Sequence, residues 1–309
     1  MDSGQGMIGE VGCLTLNLGL PGLAVWGFRR MALAANNRER LAAAPGILSS
    51  TDADVIALQE VYSPADQRFL AQAMAATHPF CTQLPPTRSL LGNGLMLLSR
   101  FPLLRSEFLP CHEAPWWVAP LWTQGFLLAE IDLPVAGRTR VINVHLTAGL
   151  PLRDLDAAVS AETRDREINQ LVAAATADHG ADILIGDFNT GDEIYPAHYR
   201  TILTAGYEDA FVAANGAGQH GKAFTWDASN PVNRRGRFRN SPSQRIDHVF
   251  INVAAQHSFT PIAARIVLAD RCVTTARGER VCLSDHYGVL VTMALRGASP
   301  NESGGLQRA

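Results

Sequence analysis

The chain has 309 residues, with 26 basic side chains against 29 acidic ones and a formal net charge of −3 at pH 7. At 47% hydrophobic and 18% charged it is too apolar and too weakly charged to be disordered, and without a basic excess it is no polyanion binder by bulk charge. No apolar run approaches the ~20 residues of a membrane span, and the five cysteines, Cys13, Cys81, Cys111, Cys272 and Cys282, are too scattered for a disulfide scaffold or a zinc module.

In chain order, Val11 to Leu18 alternates like a strand, and Leu20-Pro21-Gly22 breaks it. Arg29 to about Ala44 has helical composition, with Pro45-Gly46 expected to end or kink it. Asp54 to Glu60 reads as a buried strand, and Ser63-Pro64 opens a helix as N-cap and first helical residue. Strands are predicted over Gly94 to Ser99, Gly125 to Ile131 and Thr139 to Leu146. A long helix follows over Leu155 to Ala175, then a buried strand over Asp182 to Ile185, and last strands over Arg245 to Asn252 and Tyr287 to Ala294. The stretch between Cys272 and Cys282 reads as a polar hairpin. This mixture implies one α/β domain over residues 1–296 and a flexible tail over 297–309. Met1 to Glu10 carries no positive-then-apolar leader. A cytoplasmic or peripheral-membrane location is the expectation, with secretion left open.

Acid, amide and imidazole groups recur in or beside apolar strands: Asn17, Glu60, His145, the pair Asp187 and Asn189, Asp247, and the pair Asp285 and His286. One such residue is ordinarily a turn former or a cap; six such places are harder to explain that way. The set suits metal-assisted phosphoryl chemistry. Mg²⁺ takes one or two carboxylates and keeps its waters, and an imidazole beside a carboxylate can activate water.

Asn17, Ala57-Leu58-Gln59-Glu60, Asn143-Val144-His145-Leu146, Gly186-Asp187-Phe188-Asn189, Arg245-Ile246-Asp247-His248 and Leu283-Ser284-Asp285-His286 together resemble the endonuclease/exonuclease/phosphatase, or deoxyribonuclease I-like, superfamily. They come in that family's order across residues 11 to 294. The resemblance implies a four-layer α-β-β-α sandwich of two packed, mainly antiparallel sheets flanked by helices. It also implies a metal-dependent phosphoric diester hydrolase using Mg²⁺, with Mn²⁺ as the alternative. It assigns Glu60, Asn17 and Asp285 to the metal, and Asp187 and Asn189 to the phosphate, the water or a second ion. His286 becomes the general base held by Asp247, and His145 the phosphate and leaving-group contact.

Within the family, His145 stands where abasic-site nucleases usually carry asparagine, and Ser243 to His248 lacks the Trp-Cys-Asp-Arg signature of inositol-phosphate 5-phosphatases. Asn17 to Pro21, Glu60-Val61 with the following Ser-x-x-Asp-Gln, Gly92 to Leu95, and Thr225-x-Asp227 with Asn230 are similar to neutral sphingomyelinases. That likeness implies a phospholipid substrate and peripheral membrane contact, although the hairpin tip Thr274 to Arg280 lacks the aromatic residues of the secreted members. Trp116, Trp117 and Arg245 are candidate substrate contacts, with burial at a core edge the weightier reading for the tryptophans. Arg234 to Arg239 is the main argument for the second reading, a deoxyribonuclease or ribonuclease of the same fold. An inactive binding module is the third.

Overall fold

The computed structural model describes residues 9–25, 29–32, 36–82, 89, 92–111, 123–148, 154–177, 181–216, 223–235, 240–256 and 258–296. In chain order the elements are β1 (Gly9–Asn17), β2 (Gly22–Val25), β3 (Arg29–Ala32), α1 (Asn37–Ser49), β4 (Val55–Gln59), α2 (Pro64–Met74), β5 (Phe80–Cys81), β6 (Met96–Ser99), β7 (Leu103–Pro110), β8 (Gly125–Leu133), β9 (Gly137–His145) and α3 (Asp154–Thr176). There follow β10 (Ile183–Asp187), α4 (Pro196–Thr204), β11 (Tyr207–Asp209), α5 (Ala210–Asn215), β12 (Asp247–Asn252), β13 (Phe259–Val267), β14 (Cys272–Thr274), β15 (Arg280–Cys282) and β16 (Gly288–Leu295).

Two six-stranded sheets form the body, ordered β13-β16-β1-β4-β6-β5 and β11-β12-β10-β9-β8-β7. Both have the same plan. The third and fourth strands, β1 with β4 and β9 with β10, run parallel, and every other pairing is antiparallel. A parallel pair needs a crossover, and α1 and α3 lie in those two connections. Leu41, Ala44 and Leu48 of α1 pack on the outer face of the first sheet. Ile168, Leu171 and Ala175 of α3 pack on the outer face of the second. The inner faces meet through Val11, Cys13, Val55 and Ala57 on one side and Leu127, Ala129, Val141, Ile183 and Ile185 on the other. This is the four-layer α-β-β-α sandwich.

The long apolar strands, the Ser63-Pro64 helix start and the hairpin ending at Cys282 are formed where the sequence predicts them. The predicted helix over Arg29 to Ala44 is corrected. Arg29–Ala32 is a strand paired with Gly22–Val25, and the helix starts at Asn37 and runs through Pro45 to Ser49. Proline removes one backbone hydrogen bond there, but Leu41, Ala44, Pro45 and Leu48 are all buried, so tertiary packing carries the helix past it. The sequence also understates the edges: β7 is largely exposed, and β13 holds Pro261 at an irregularity, as edge strands tolerate. The tryptophan stretch, most of the Arg234–Arg239 segment and the 297–309 tail lie outside the described residues. Among the described residues no helix is long and apolar enough to cross a membrane.

Candidate active site

Side chains alternate across a strand, so each strand here has a face toward the other sheet and a face toward the helices. On the inward face, polarity rises toward one end of the sandwich. Val11 and Cys13 give way to Thr15 and Asn17; Val141 to Asn143 and His145; Ile185 to Asp187; and Val249 to Asp247 at the start of β12. The first polar layer is an amide lock between the sheets. Gln59 Nε2 donates to Asn143 Oδ1 at 2.8 Å, and Asn143 Nδ2 reaches the Leu58 and Met96 carbonyls at 3.0 Å each. The acids and imidazoles lie just beyond it, past the carboxyl ends of the two parallel pairs, where strand-end groups from both sheets can converge.

Glu60 departs from alternation. Gln59 already points inward to Asn143, so a regular strand would turn Glu60 toward the helices. Its backbone is left-handed instead, with φ 57°, and the carboxylate returns to the inner cleft. Asn17 Nδ2 donates to Glu60 Oε1 at 3.2 Å and to Asp187 Oδ2 at 3.0 Å, while Asn17 Oδ1 accepts from the Gly19 amide at 3.0 Å. Asn17 therefore ties the acids of the two sheets together. Asn189 is also left-handed, with φ 49°. Its amide donates to Leu146 O at 2.8 Å, joining the ends of β9 and β10. Strained backbone at non-glycine residues marks places that the surroundings over-determine.

Two imidazoles face these acids. His145 Nε2 lies 3.8 Å from Glu60 Oε1 and 3.7 Å from Asp187 Oδ2. His286 Nδ1 bonds Asp247 Oδ2 at 2.9 Å, leaving Nε2 3.9 Å from Asp187 Oδ2. The loop before β16 is pinned for this purpose. Ser284 Oγ donates to Asn17 O at 2.6 Å, Asn230 Nδ2 to Ser284 O at 3.0 Å, and Asn233 Nδ2 to Asp285 O at 2.9 Å. Asp285 touches Gly19, where a Cβ would fall 2.2 Å from Oδ1. Glu60 keeps 24% of its side chain exposed and His145 14%, so the site opens to solvent on their side.

The charges explain the titration. Burial raises Glu60 above the ordinary carboxylate range; the neighbouring His145 offsets this in part and Asp285 adds to it. Burial and the Asp247 charge raise Asp187 likewise. Burial pulls the His286 imidazole down, but Asp247, Asp187 and Asp285 outweigh it and hold the ring well above its usual range. Four carboxylates thus meet, with the two imidazoles and the buried Arg40 as the positive charge nearby. The buried Asp247 Oδ1 has no hydrogen-bond partner among the described residues. One ligand atom each from Asp187, Asp247 and His286 also lies within 4.8 Å of the others. This oxygen-rich set fits a divalent cation such as Mg²⁺ or Mn²⁺, with Asp187 shared between that group and the Asn17-linked Glu60.

Arg245 is a correction. It does not reach the cleft: its NH1 donates to Asp209 Oδ2 at 2.7 Å behind β12, because the guanidinium neutralises a buried acid there. His248 joins that network through Nδ1 to Asp209 at 3.1 Å and Nε2 to Thr190 O at 2.8 Å. Trp116 and Trp117 lie outside the described residues. Reading of the sequence overlooks Asp209, Gln59 as the partner of Asn143, and the buried arginines Arg40 and Arg164. Only Gln59 carried a signal, as a polar residue inside an apolar strand.

Known proteins share this architecture. A Drosophila melanogaster protein provisionally named a neutral sphingomyelinase is 23% identical over 292 residues, spanning 91% of this chain and 62% of its own length. The chain thus spans less than two thirds of that relative. Among solved structures, sphingomyelinase C from Streptomyces griseocarneus superposes with a TM-score of 0.64 at 22% identity, covering 92% of this chain and 99% of that one. A D. rerio TDP2 crystallised with a single-strand DNA product gives 0.66 at 18%, covering 92% and 98%. Staphylococcus aureus beta toxin with bound magnesium ions gives 0.69 at 14%, covering 94% and 100%. The match that decides the family runs over residues 15–286, from β1 to His286: the chain belongs to the Endonuclease/Exonuclease/phosphatase family.

Proposed function

We propose that the chain is a Mg²⁺-dependent phosphodiesterase acting on a phospholipid, releasing a headgroup of the phosphocholine kind. The carrying observation is the pair of imidazoles set around Asp187, one bonded to a carboxylate and one not. Asp247 fixes the His286 ring by Nδ1; a divalent ion against Asp187 and Asp285 would offset part of the negative charge that holds the ring protonated, and would free Nε2 to take a proton from the attacking water. His145 is placed to hydrogen-bond the phosphoryl group and to return a proton to the leaving oxygen. Asn17 holds Glu60 and Asp187 in register, and Asp187 with Asn189 orients phosphate or water. A divalent ion held by Glu60 and Asp285, with Asn17 beside it, would supply positive charge against the phosphoryl oxygens.

What supports a lipid over a long nucleic acid is where three buried arginines among the described residues go. Arg40 donates to the Leu283 carbonyl at 2.7 Å, Arg164 to the Thr147 carbonyl, and Arg245 to Asp209. All three are buried and serve the fold, and the net charge of −3 does not steer a polyanion. The sphingomyelinase relative and fold neighbour point the same way, while the TDP2 neighbour keeps a nuclease as the competing outcome. Liposomes containing sphingomyelin, and single- and double-stranded DNA, are assayed with Mg²⁺ and with chelator. Mg²⁺-dependent phosphocholine release without DNA cutting is expected. DNA cutting without phosphocholine release would overturn the lipid reading and leave a nuclease.

A further inference from the structure

The β14–β15 hairpin sets Cys272 directly opposite Cys282 in an antiparallel register, with Val273 opposite Val281 and Thr274 opposite Arg280. The flanking hydrogen bonds say which kind of pair this is. Leu283 N donates to Arg271 O at 3.1 Å, and Thr275 N to Glu279 O at 2.8 Å. Bonded and non-bonded positions alternate along an antiparallel ladder, so Cys272 and Cys282 occupy a non-hydrogen-bonded position, where Cα atoms approach to about 4.5 Å. A disulfide accepts Cα separations of about 4.4–6.8 Å. Directly opposed residues also project from the same face of the ribbon. Both thiols are free in the structure, Cys272 exposed and Cys282 buried.

We propose that Cys272 and Cys282 form a cross-strand disulfide that clasps this hairpin to the segment carrying the site's last two residues. The exposed Cys272 is the entry point. Its thiolate attacks one sulfur of a small disulfide such as oxidised glutathione and expels one glutathione thiolate. Cys282, losing its proton to solvent, then attacks the Cys272 sulfur and expels the second. Two cysteine thiols are oxidised to one bridge, and one glutathione disulfide is reduced to two thiols. The other cysteines are poor competitors. In the sheets Cys13 faces Val291 and Val55 and Cys81 faces Leu98, so neither has a thiol opposite it; burial raises the Cys282 thiol as it does theirs, so Cys282 acts second, against the Cys272 sulfur.

The place of the clasp gives it a structural role. From Cys282 the chain passes through Leu283, whose carbonyl accepts from Arg40, and Ser284, which bonds Asn17 O, before Asp285 and His286. Val273, Val281 and Leu283 seat the hairpin against the apolar layer of α1. A bridge at this point ties the hairpin's two strands together three residues before Asp285. It also removes conformations from the unfolded chain.

The test uses the full chain incubated with oxidised glutathione, quenched with a thiol-alkylating agent and digested with trypsin without reductant. Cleavage after Arg277 and Arg280 separates the two cysteines, so a bridge shows as linked peptides. The expected result is one such link and an intact mass lower by two hydrogens. The unfolding midpoint should rise by a few degrees and be restored by dithiothreitol. C272S should lose the link, and C282S should keep a glutathione adduct on Cys272. A persistent adduct on Cys272 in the unmodified sequence, a link through Cys13, Cys81 or Cys111, or no reaction would overturn the proposal. A Cys272–Cys282 link that leaves the midpoint unchanged would overturn the clasp.

Discussion

On the proposed reading Glu60 holds charge and His286 moves a proton, and substitution should separate the two. H286A removes the proton acceptor and is expected to lower kcat by about 10²–10⁴-fold while Mg²⁺ affinity stays nearly unchanged in isothermal titration. E60Q should abolish Mg²⁺ binding in the same titration. Loss of Mg²⁺ binding in H286A would reassign His286 as a ligand. Behind the site, burial would raise the Asp209 carboxyl, but its hydrogen bond to His248 and the Arg245 charge outweigh that and hold it below the ordinary range. A depressed folded-state pKa adds stability above the unfolded value of about 3.9, and that stability is lost as pH falls through the folded value. D209N leaves Arg245 buried without its acid, at a cost of about 3–5 kcal/mol near neutral pH. Urea melts should show the deficit shrinking below pH ~4. A deficit constant from neutral to acid pH would contradict the depressed pKa.

Elements matter here for how closely their backbones approach. Gly186, inside β10, has φ 144°, and a Cβ there would lie 2.1 Å from Val144 O of β9. The parallel pair that brings Asp187 beside His145 therefore depends on a missing side chain. G186A is expected to cost about 3 kcal/mol or more in urea melts and to depress phosphodiesterase activity with it. The sequence shows the elements with long apolar runs, because burial on both faces writes continuous hydrophobicity. It conceals β2, β3, β7 and β13, which are short or exposed and whose pairing is set by partners distant in the chain. The site residues were legible for a related reason: an acid or imidazole continuing an apolar strand is conspicuous. Asp209 and Arg245 were not, because each becomes meaningful only once β11 lies beside β12. Glu60 was legible as a strand-end acid, but its left-handed turn was not, since glycine or asparagine would be the expected residue there.

At the scale of the molecule, the cleft is assembled from two sheets with different histories along the chain. The second sheet uses only residues between Leu103 and Asn252, whereas the first combines β1, β4, β5 and β6 with β13 and β16 from the other end. Gly9 pairs in register with Leu295, so β1 sits beside β16, the described strand furthest from it along the chain. A growing chain can close the second sheet while β1 still lacks one neighbour, and contacts that span a whole chain close late. Pulsed hydrogen exchange during refolding should find β8, β9 and β10 protected before β1 and β16; the reverse order, or simultaneous protection, would refute this sequence of events. Catalytic competence is then the final event of folding. His145 and Asp187 meet early, but Asp285 and His286 arrive only with β16, so a chain stalled before its last strand lacks both.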